Sequence, residues 1–76
     1  MRVALTRDGN IYFRRDRIAR EDLPELIRTA LRKGAEKRVY LAADQRATYA
    51  YVEVVLDEIR LSGITNVVIL AEKTTH

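Results

Sequence analysis

Residues 39–70 read VYLAADQRATYAYVEVVLDEIRLSGITNVVIL, and this stretch decides the fold. It opens with an apolar strand over 38–42 and closes with a nearly continuous β-branched strand over 64–70. A run of the second kind predicts a strand that is buried on both faces, or nearly so. A helix lies between the two strands. Two strands joined in this way predict a parallel pair with a right-handed crossover.

The helix between these strands has recognisable ends and more apolar surface than one face can hold. Thr48 suits the N-cap position, and Gly63 suits the stop after about Leu61. Four apolar residues form its inner stripe: Val52, Val55, Leu56 and Ile59. Three more share a neighbouring face: Tyr51, Val54 and Leu61. Two interpretations of this surplus stay open, a partner-binding surface and a wide buried stripe.

A β-hairpin is predicted at the start of the chain. Asp8-Gly9 lies between two stretches of alternating apolar residues, and glycine accepts the positive φ that such turns require. The flanking strands cover residues 1–5 and 11–13. The arginine-rich residues 14–17 are interpreted as a polar turn that leads towards the first helix.

The first helix has a clear start and a clear stop. Asp22 precedes Glu25 by three residues, which is the spacing of a capping box. Pro24 falls in the first turn, where its missing N–H costs little, and Gly34 supplies the stop. Five apolar residues follow the helical period without a gap: Leu23, Leu26, Ile27, Ala30 and Leu31. These side chains predict the face that packs on the sheet.

The element order β-β-α-β-α-β predicts an α+β fold with two helices packed on one face of a mixed four-stranded sheet. A chain of 76 residues is long enough for one compact domain and no more. We expect that domain to cover residues 1–72, followed by a frayed C-terminal tail over 73–76.

Composition excludes several kinds of chemical site. The chain has no cysteine, which excludes disulfides and thiolate metal sites. Its single histidine is the terminal His76, and its single serine, Ser62, has no internal histidine to activate it. We therefore expect no enzyme activity, no cofactor and no metal site. The sequence also contains no run of about 18 apolar residues that could span a membrane.

Charge is distributed unevenly along the chain. Residues 1–38 carry eleven basic and six acidic side chains, a net charge of +5, whereas residues 39–76 carry three and five, a net charge of −2. Arg14, Arg15 and Arg17 lie beside aromatic residues and are candidates for contact with an anion. A small basic α+β nucleic-acid-binding module is therefore an alternative function, although the glycine-aromatic signature of RNA-reading sheets is absent.

Asp44 is a candidate for chemistry because it follows a parallel strand at the carboxyl edge of the sheet, where open α/β sheets place functional groups. The alternative is that its carboxylate caps the turn or the next helix. A catalytic role would need a pocket around Asp44 that also holds an arginine such as Arg46.

The second half of the chain resembles the periplasmic domain of the ExbD/TolR biopolymer transport family. The resemblance consists of an apolar strand that ends in an Ala-Asp pair, a Tyr-started helix with a Val-rich middle, a closing glycine and a last apolar strand. The residues that carry it are 39–44, Tyr49, Val52, 55–57, Gly63, Ile64 and 67–70. The first half agrees more loosely, and the whole resemblance covers about residues 2–72. It implies a structural role for the motif residues Asp44, Tyr49 and Gly63.

The resemblance implies a role in energy transfer without enzyme activity. Members of the family are inner-membrane proteins with one transmembrane helix and a periplasmic domain of about this size. They work with a proton-channel partner of the ExbB/TolQ type and pass the energy of the proton motive force to TonB or TolA. We expect this chain to be the soluble part of such a protein, at the periplasmic face of the inner membrane. The proton-handling aspartate lies in the missing helix, and Asp44 does not replace it.

ExbD-like and TolR-like members share this sequence pattern, so the sequence does not separate them. The resemblance implies two surface roles for the domain. In the first, it forms a homodimer and grips an extended segment of the TonB/TolA-type partner by adding a strand to a sheet edge, beside 66–70 or 11–13. The residues predicted to bind the partner are Tyr51, Val54, Leu61, Ile11, Phe13, Val68 and Leu70. In the second, it contacts peptidoglycan through Arg14, Arg15 and Arg17.

Overall fold

The computed structural model describes residues 1–73. Within them the chain forms five β-strands and two α-helices. In chain order these are β1 Arg2–Leu5, β2 Ile11–Phe13, β3 Asp16–Ile18, α1 Leu23–Arg32, β4 Val39–Asp44, α2 Tyr49–Leu61 and β5 Val67–Glu72. A 3₁₀ turn over Arg20–Asp22 precedes α1. The last strand, predicted over 64–70, starts later than predicted and runs two residues further. Of the predicted tail, 74–76 lie outside the described residues.

The strands form one mixed sheet in the order β3-β2-β1-β4-β5. β2 pairs antiparallel with both β1 and β3, whereas β4 pairs parallel with both β1 and β5. The predicted α+β class, the mixed sheet and the parallel pair joined through α2 are confirmed. The predicted number of four strands is wrong, because the segment interpreted as a polar turn contains β3.

The extra strand follows from an unusual tight turn. β2 and β3 pair with Phe13 opposite Asp16, so Arg14 and Arg15 alone connect them. Arg14 has a φ of 62°, in the left-handed region that two-residue hairpin turns normally fill with glycine or asparagine. β3 itself contributes one apolar residue, Ile18. Neither the turn nor the strand therefore carries its usual sequence signature.

The core lies between the two helices and one face of the sheet. Alternate residues of the neighbouring strands β1 and β4 reach this face, where Val3 and Leu41 are register partners and both 0% exposed. The helices contribute side chains that are at most 1% exposed: Leu23, Ile27, Val55 and Ile59. The remaining residues of both predicted stripes pack against this cluster while partly buried: Leu26, Leu31, Val52 and Leu56. The predicted inner faces of both helices are thus confirmed.

The start of α1 differs from the predicted capping box. Asp22 occupies the N-cap position but has helical backbone angles and makes no side-chain cap hydrogen bond, because the preceding 3₁₀ turn continues into the helix. Glu25 pairs instead with Arg32 at 3.2 Å and with Arg28 at 3.4 Å. The hydrogen bond from Arg32, followed by that from Arg28, lowers the pKa of Glu25. The Glu25 carboxylate thus pairs with arginines on later turns of the helix instead of accepting a hydrogen bond from the free amides at the helix start.

β5 is exposed, whereas the sequence predicts a strand buried on both faces. Val67 and Val68 are half-buried, but Ile69 is 52% and Leu70 is 39% exposed. The cause is the strand order: β5 is the last strand of the sheet, and Val67 is its one residue that packs against the core. Apart from Val67, the apolar residues of β5 therefore do not serve the core of this domain.

Candidate partner-binding site

Within residues 1–73, no strand pairs with the outer edge of β5. The inner edge is anchored to β4, where the Val39 N–H donates to the Asn66 C=O at 3.1 Å and the Gln45 N–H donates to the Glu72 C=O at 2.9 Å. In a strand, N–H and C=O of one residue point to the same side, and successive residues alternate. The even-numbered residues of β5 therefore face β4. The odd-numbered ones, Val67, Ile69 and Ala71, direct their backbone groups away from the sheet.

Apolar side chains accompany this open edge on both faces of the sheet. Ile69 and Leu70 point to opposite faces, since neighbouring residues of a strand alternate. On the helix side, Val67 and Ile69 line a groove of about 300 Å³ together with Leu56 and Arg60 of α2. An added strand could therefore pair with the backbone of β5 and place one apolar side chain in this groove.

The other predicted edge, at 11–13, does not exist. β2 lies between β1 and β3, and Ile11 and Phe13 are only 6% and 8% exposed. Both belong to the core, so the expectation of an exposed edge there is wrong. The true second edge is β3, a three-residue strand with charged side chains at Asp16 and Arg17. Short, charged edge strands are a common protection against unwanted strand pairing.

The structure separates the three α2 residues predicted as one contact surface. Tyr51 and Val54 line a groove between α2 and the N-terminal strands. Leu61 lies at the far end of the helix, 62% exposed, where its C=O accepts a hydrogen bond from the Arg28 guanidinium at 2.6 Å. Tyr49, in the first turn of α2, is 71% exposed. The contact of Tyr51, Val54 and Leu61 with a partner stays a prediction.

Asp44 ends β4 and is held by Arg46. Its Oδ1 accepts the Arg46 backbone N–H at 2.8 Å, and its two oxygens accept Nε and Nη2 of the guanidinium at 3.2 and 3.1 Å. The same hydrogen bonds raise the pKa of Arg46. A groove of about 490 Å³ does surround this pair, lined also by Arg7, Asp8 and Glu72, which are ion-paired as well. The charges here neutralise one another, and the geometry matches the turn-capping alternative.

Arg14, Arg15 and Arg17 lie at and beside the β2–β3 turn, and all three are exposed. The Arg14 guanidinium lies 5.4 Å from the centroid of the Phe13 ring, close enough for a cation–π contact. In the described part of the chain, none of the three forms an ion pair with a carboxylate. Their predicted contact with an anion therefore remains compatible with the structure.

The residue of β5 that the open edge favours is not among the predicted contact residues. Val68 and Leu70 are predicted contact residues, yet their backbone groups face β4, and the residue that presents both its backbone and a largely exposed side chain is Ile69. No local signal distinguishes them, because the four residues 67–70 are all apolar. Arg20, beside the groove of Tyr51 and Val54, was also not predicted.

Comparison with known protein families supports the resemblance. The family described as biopolymer transport protein ExbD/TolR matches residues 1–74, which is nearly the whole chain. Comparison with curated proteins finds no match. Neither helix of residues 1–73 has the length and the apolar composition needed to cross a membrane.

Proposed function

The chain belongs to the ExbD/TolR family of biopolymer transport proteins, and from this premise we propose that it binds an extended segment of an energy-receiving partner along β5. The partner is of the TonB/TolA type, and its segment adds to the sheet as a further strand. The domain does so at the periplasmic face of the inner membrane. An ExbB/TolQ-type channel protein supplies the energy of the proton motive force.

The open edge of β5 is the observation that supports this proposal most. Val67, Ile69 and Ala71 offer three N–H and three C=O groups, and each hydrogen bond contributes roughly 0.5–1.5 kcal/mol net. Ordering a flexible segment costs about 2–5 kcal/mol or more. The main-chain bonds alone therefore leave a small net affinity. Burial of an apolar side chain against Ile69 and Leu56 supplies the remainder.

We further propose that the domain acts as a homodimer. Two large exposed apolar side chains at opposite ends of α2 support this proposal: Tyr49, 71% exposed, and Leu61, 62% exposed. Exposed side chains of this size are enriched where proteins meet.

Disulfide cross-linking tests the strand-addition proposal without background, because the chain has no cysteine of its own. An Ile69→Cys variant is expected to cross-link to single cysteines placed along the periplasmic segment of the TonB/TolA-type partner. Cross-linking should peak at every second segment position, since only those side chains share the face of residue 69. Lys37→Cys, which lies in the exposed loop before β4, is the matched control. Equal cross-linking at both sites, or no alternation along the segment, would contradict strand addition.

A further inference from the structure

A second groove lies on the opposite half of the molecule from β5. It is formed between α2 and the strands β1, β2 and β3, and it encloses about 360 Å³, within the size range of ligand-binding pockets. Buried residues form its floor: Leu5, Ile11 and Val55. Ile18 and Val54, both half-buried, form its apolar walls. One apolar side chain of a partner fits a groove of this size and composition.

Tyr51 forms a fixed aromatic wall of this groove. A methyl group at Gly9 would lie only 3.0 Å from the Tyr51 ring, which shows how closely the ring packs on the β1–β2 turn. Gly9 also has a φ of 88°, so this turn conformation favours glycine. Tyr51 nevertheless remains 42% exposed and presents the rest of its ring to the groove. Pre-positioned tyrosines of this kind are frequent among the residues that dominate binding energy.

The two arginines that line this groove, Arg17 and Arg20, have no carboxylate partner within residues 1–73. Of the eleven arginines in the chain, seven form ion pairs within residues 1–73: Arg2, Arg7, Arg28, Arg32, Arg38, Arg46 and Arg60. The other four all fall in a short stretch: Arg14, Arg15, Arg17 and Arg20. Arg17 and Arg20 line the groove itself. Two of these four arginines therefore place positive charge directly at one apolar groove.

We propose that this groove binds an acidic segment of a protein partner, with an apolar side chain between Tyr51 and Ile18 and carboxylates beside Arg20 and Arg17. The segment should carry acidic side chains because unpaired guanidinium groups bind carboxylates in bidentate geometry. The segment should also carry an apolar side chain because the floor of the groove is apolar. A nucleic-acid backbone or a bare anion would gain nothing from Leu5, Ile11 or Val54, so a peptide that combines both features fits best.

This site is distinct from the proposed strand addition. β3 and β5 are opposite ends of the sheet, and the two grooves have no lining residue in common. The domain can therefore hold an acidic segment at Arg20 while an extended segment pairs with β5. If the acidic segment and the extended segment belong to the same partner chain, binding of one raises the effective concentration of the other at its own site.

The probe for this site is a synthetic pentapeptide in which glutamate alternates with leucine and phenylalanine, followed by fluorescence anisotropy. Arg20→Glu and Tyr51→Ala are each expected to weaken its binding about tenfold or more, as for central interface residues. Lys37→Glu makes the same charge change at an exposed loop site and should alter binding by less than about twofold. The Ile69→Pro variant should bind the pentapeptide like the unchanged protein. Thermal unfolding of each variant shows whether it is folded.

Three results would overturn the proposal. The first is equal weakening by Arg20→Glu and Lys37→Glu, which would indicate binding through net charge alone. The second is equal binding of a peptide in which leucine and phenylalanine are replaced by serine, because the apolar groove would then be unused. The third is a protein that does not bind the pentapeptide but does bind a single-stranded oligonucleotide, anionic vesicles or purified sacculi, and that loses this binding in the Arg20→Glu variant. Such a result would assign the arginines to another class of anion.

Discussion

Replacing Ile69 by proline is expected to weaken partner binding strongly while the domain remains folded. The Ile69 N–H points away from β4, so the proline ring removes no hydrogen bond from the sheet, and proline is tolerated on edge strands. A strand that adds to β5 loses this donor, and one of its carbonyl groups is left unpaired. Leaving a buried acceptor unpaired costs about 1–3 kcal/mol, which corresponds to roughly 5- to 140-fold weaker binding.

The adjacent residue supplies the control for this substitution. The backbone of Leu70 faces β4, so Leu70→Pro removes a hydrogen bond inside the sheet and should destabilise the domain by about 1–3 kcal/mol. Calorimetric titration with the partner segment measures binding, and thermal unfolding measures stability. If Ile69→Pro binds the segment as well as the unchanged protein does, β5 is not the docking edge. If the two prolines destabilise the domain equally, the deduced direction of the β5 backbone is wrong.

The Leu41→Ala substitution is expected to cause the largest loss of folding stability. Leu41 is 0% exposed on β4, which lies between β1 and β5 and faces both helices. Truncation of a buried leucine to alanine costs about 2–5 kcal/mol, because apolar contacts are lost and a cavity remains. Small domains have only roughly 0.05–0.15 kcal/mol of stability per residue. We therefore expect the variant to lose a large share of the free energy of unfolding of the domain.

Urea denaturation followed by circular dichroism measures this loss. Leu61→Ala is the matched control, since it makes the same chemical change at a side chain that is 62% exposed. Its stability should change by less than about 0.5 kcal/mol. A similar loss in both variants would show that Leu41 is not at the centre of the core.

The elements of this fold that could be predicted are those whose own residues carry the signal. α1 and α2 follow the helical period, and their inner stripes are the ones that pack on the sheet. Gly9 marks the first hairpin because its φ of 88° is typical of glycine. β3 could not be predicted in this way, since Arg14 adopts a positive φ without being glycine and Ile18 is the single apolar residue of the strand.

The candidate site was predictable only in part, because exposure of a strand depends on strand order. The residues 67–70 are as apolar as a central strand, and nothing local indicates that β5 lies at the end of the sheet. Conversely, the alternation at Ile11 and Phe13 fits an edge strand equally well, but β3 covers that edge. The family resemblance predicted strand addition as a mode of binding. The position of Ile69 became apparent only from the hydrogen-bond register of β4 and β5.

The most direct test of the central claim is a titration of the isotope-labelled domain with the periplasmic segment of the proposed TonB/TolA-type partner, followed by the backbone amide signals. Strand addition predicts that the amides of Val67, Ile69 and Ala71 shift most and exchange their hydrogens more slowly, because they gain hydrogen bonds. The amides of Val68 and Leu70, already bonded to β4, should shift less. If no amide of β5 moves at millimolar peptide, the β5 edge is not the site where this domain receives its partner.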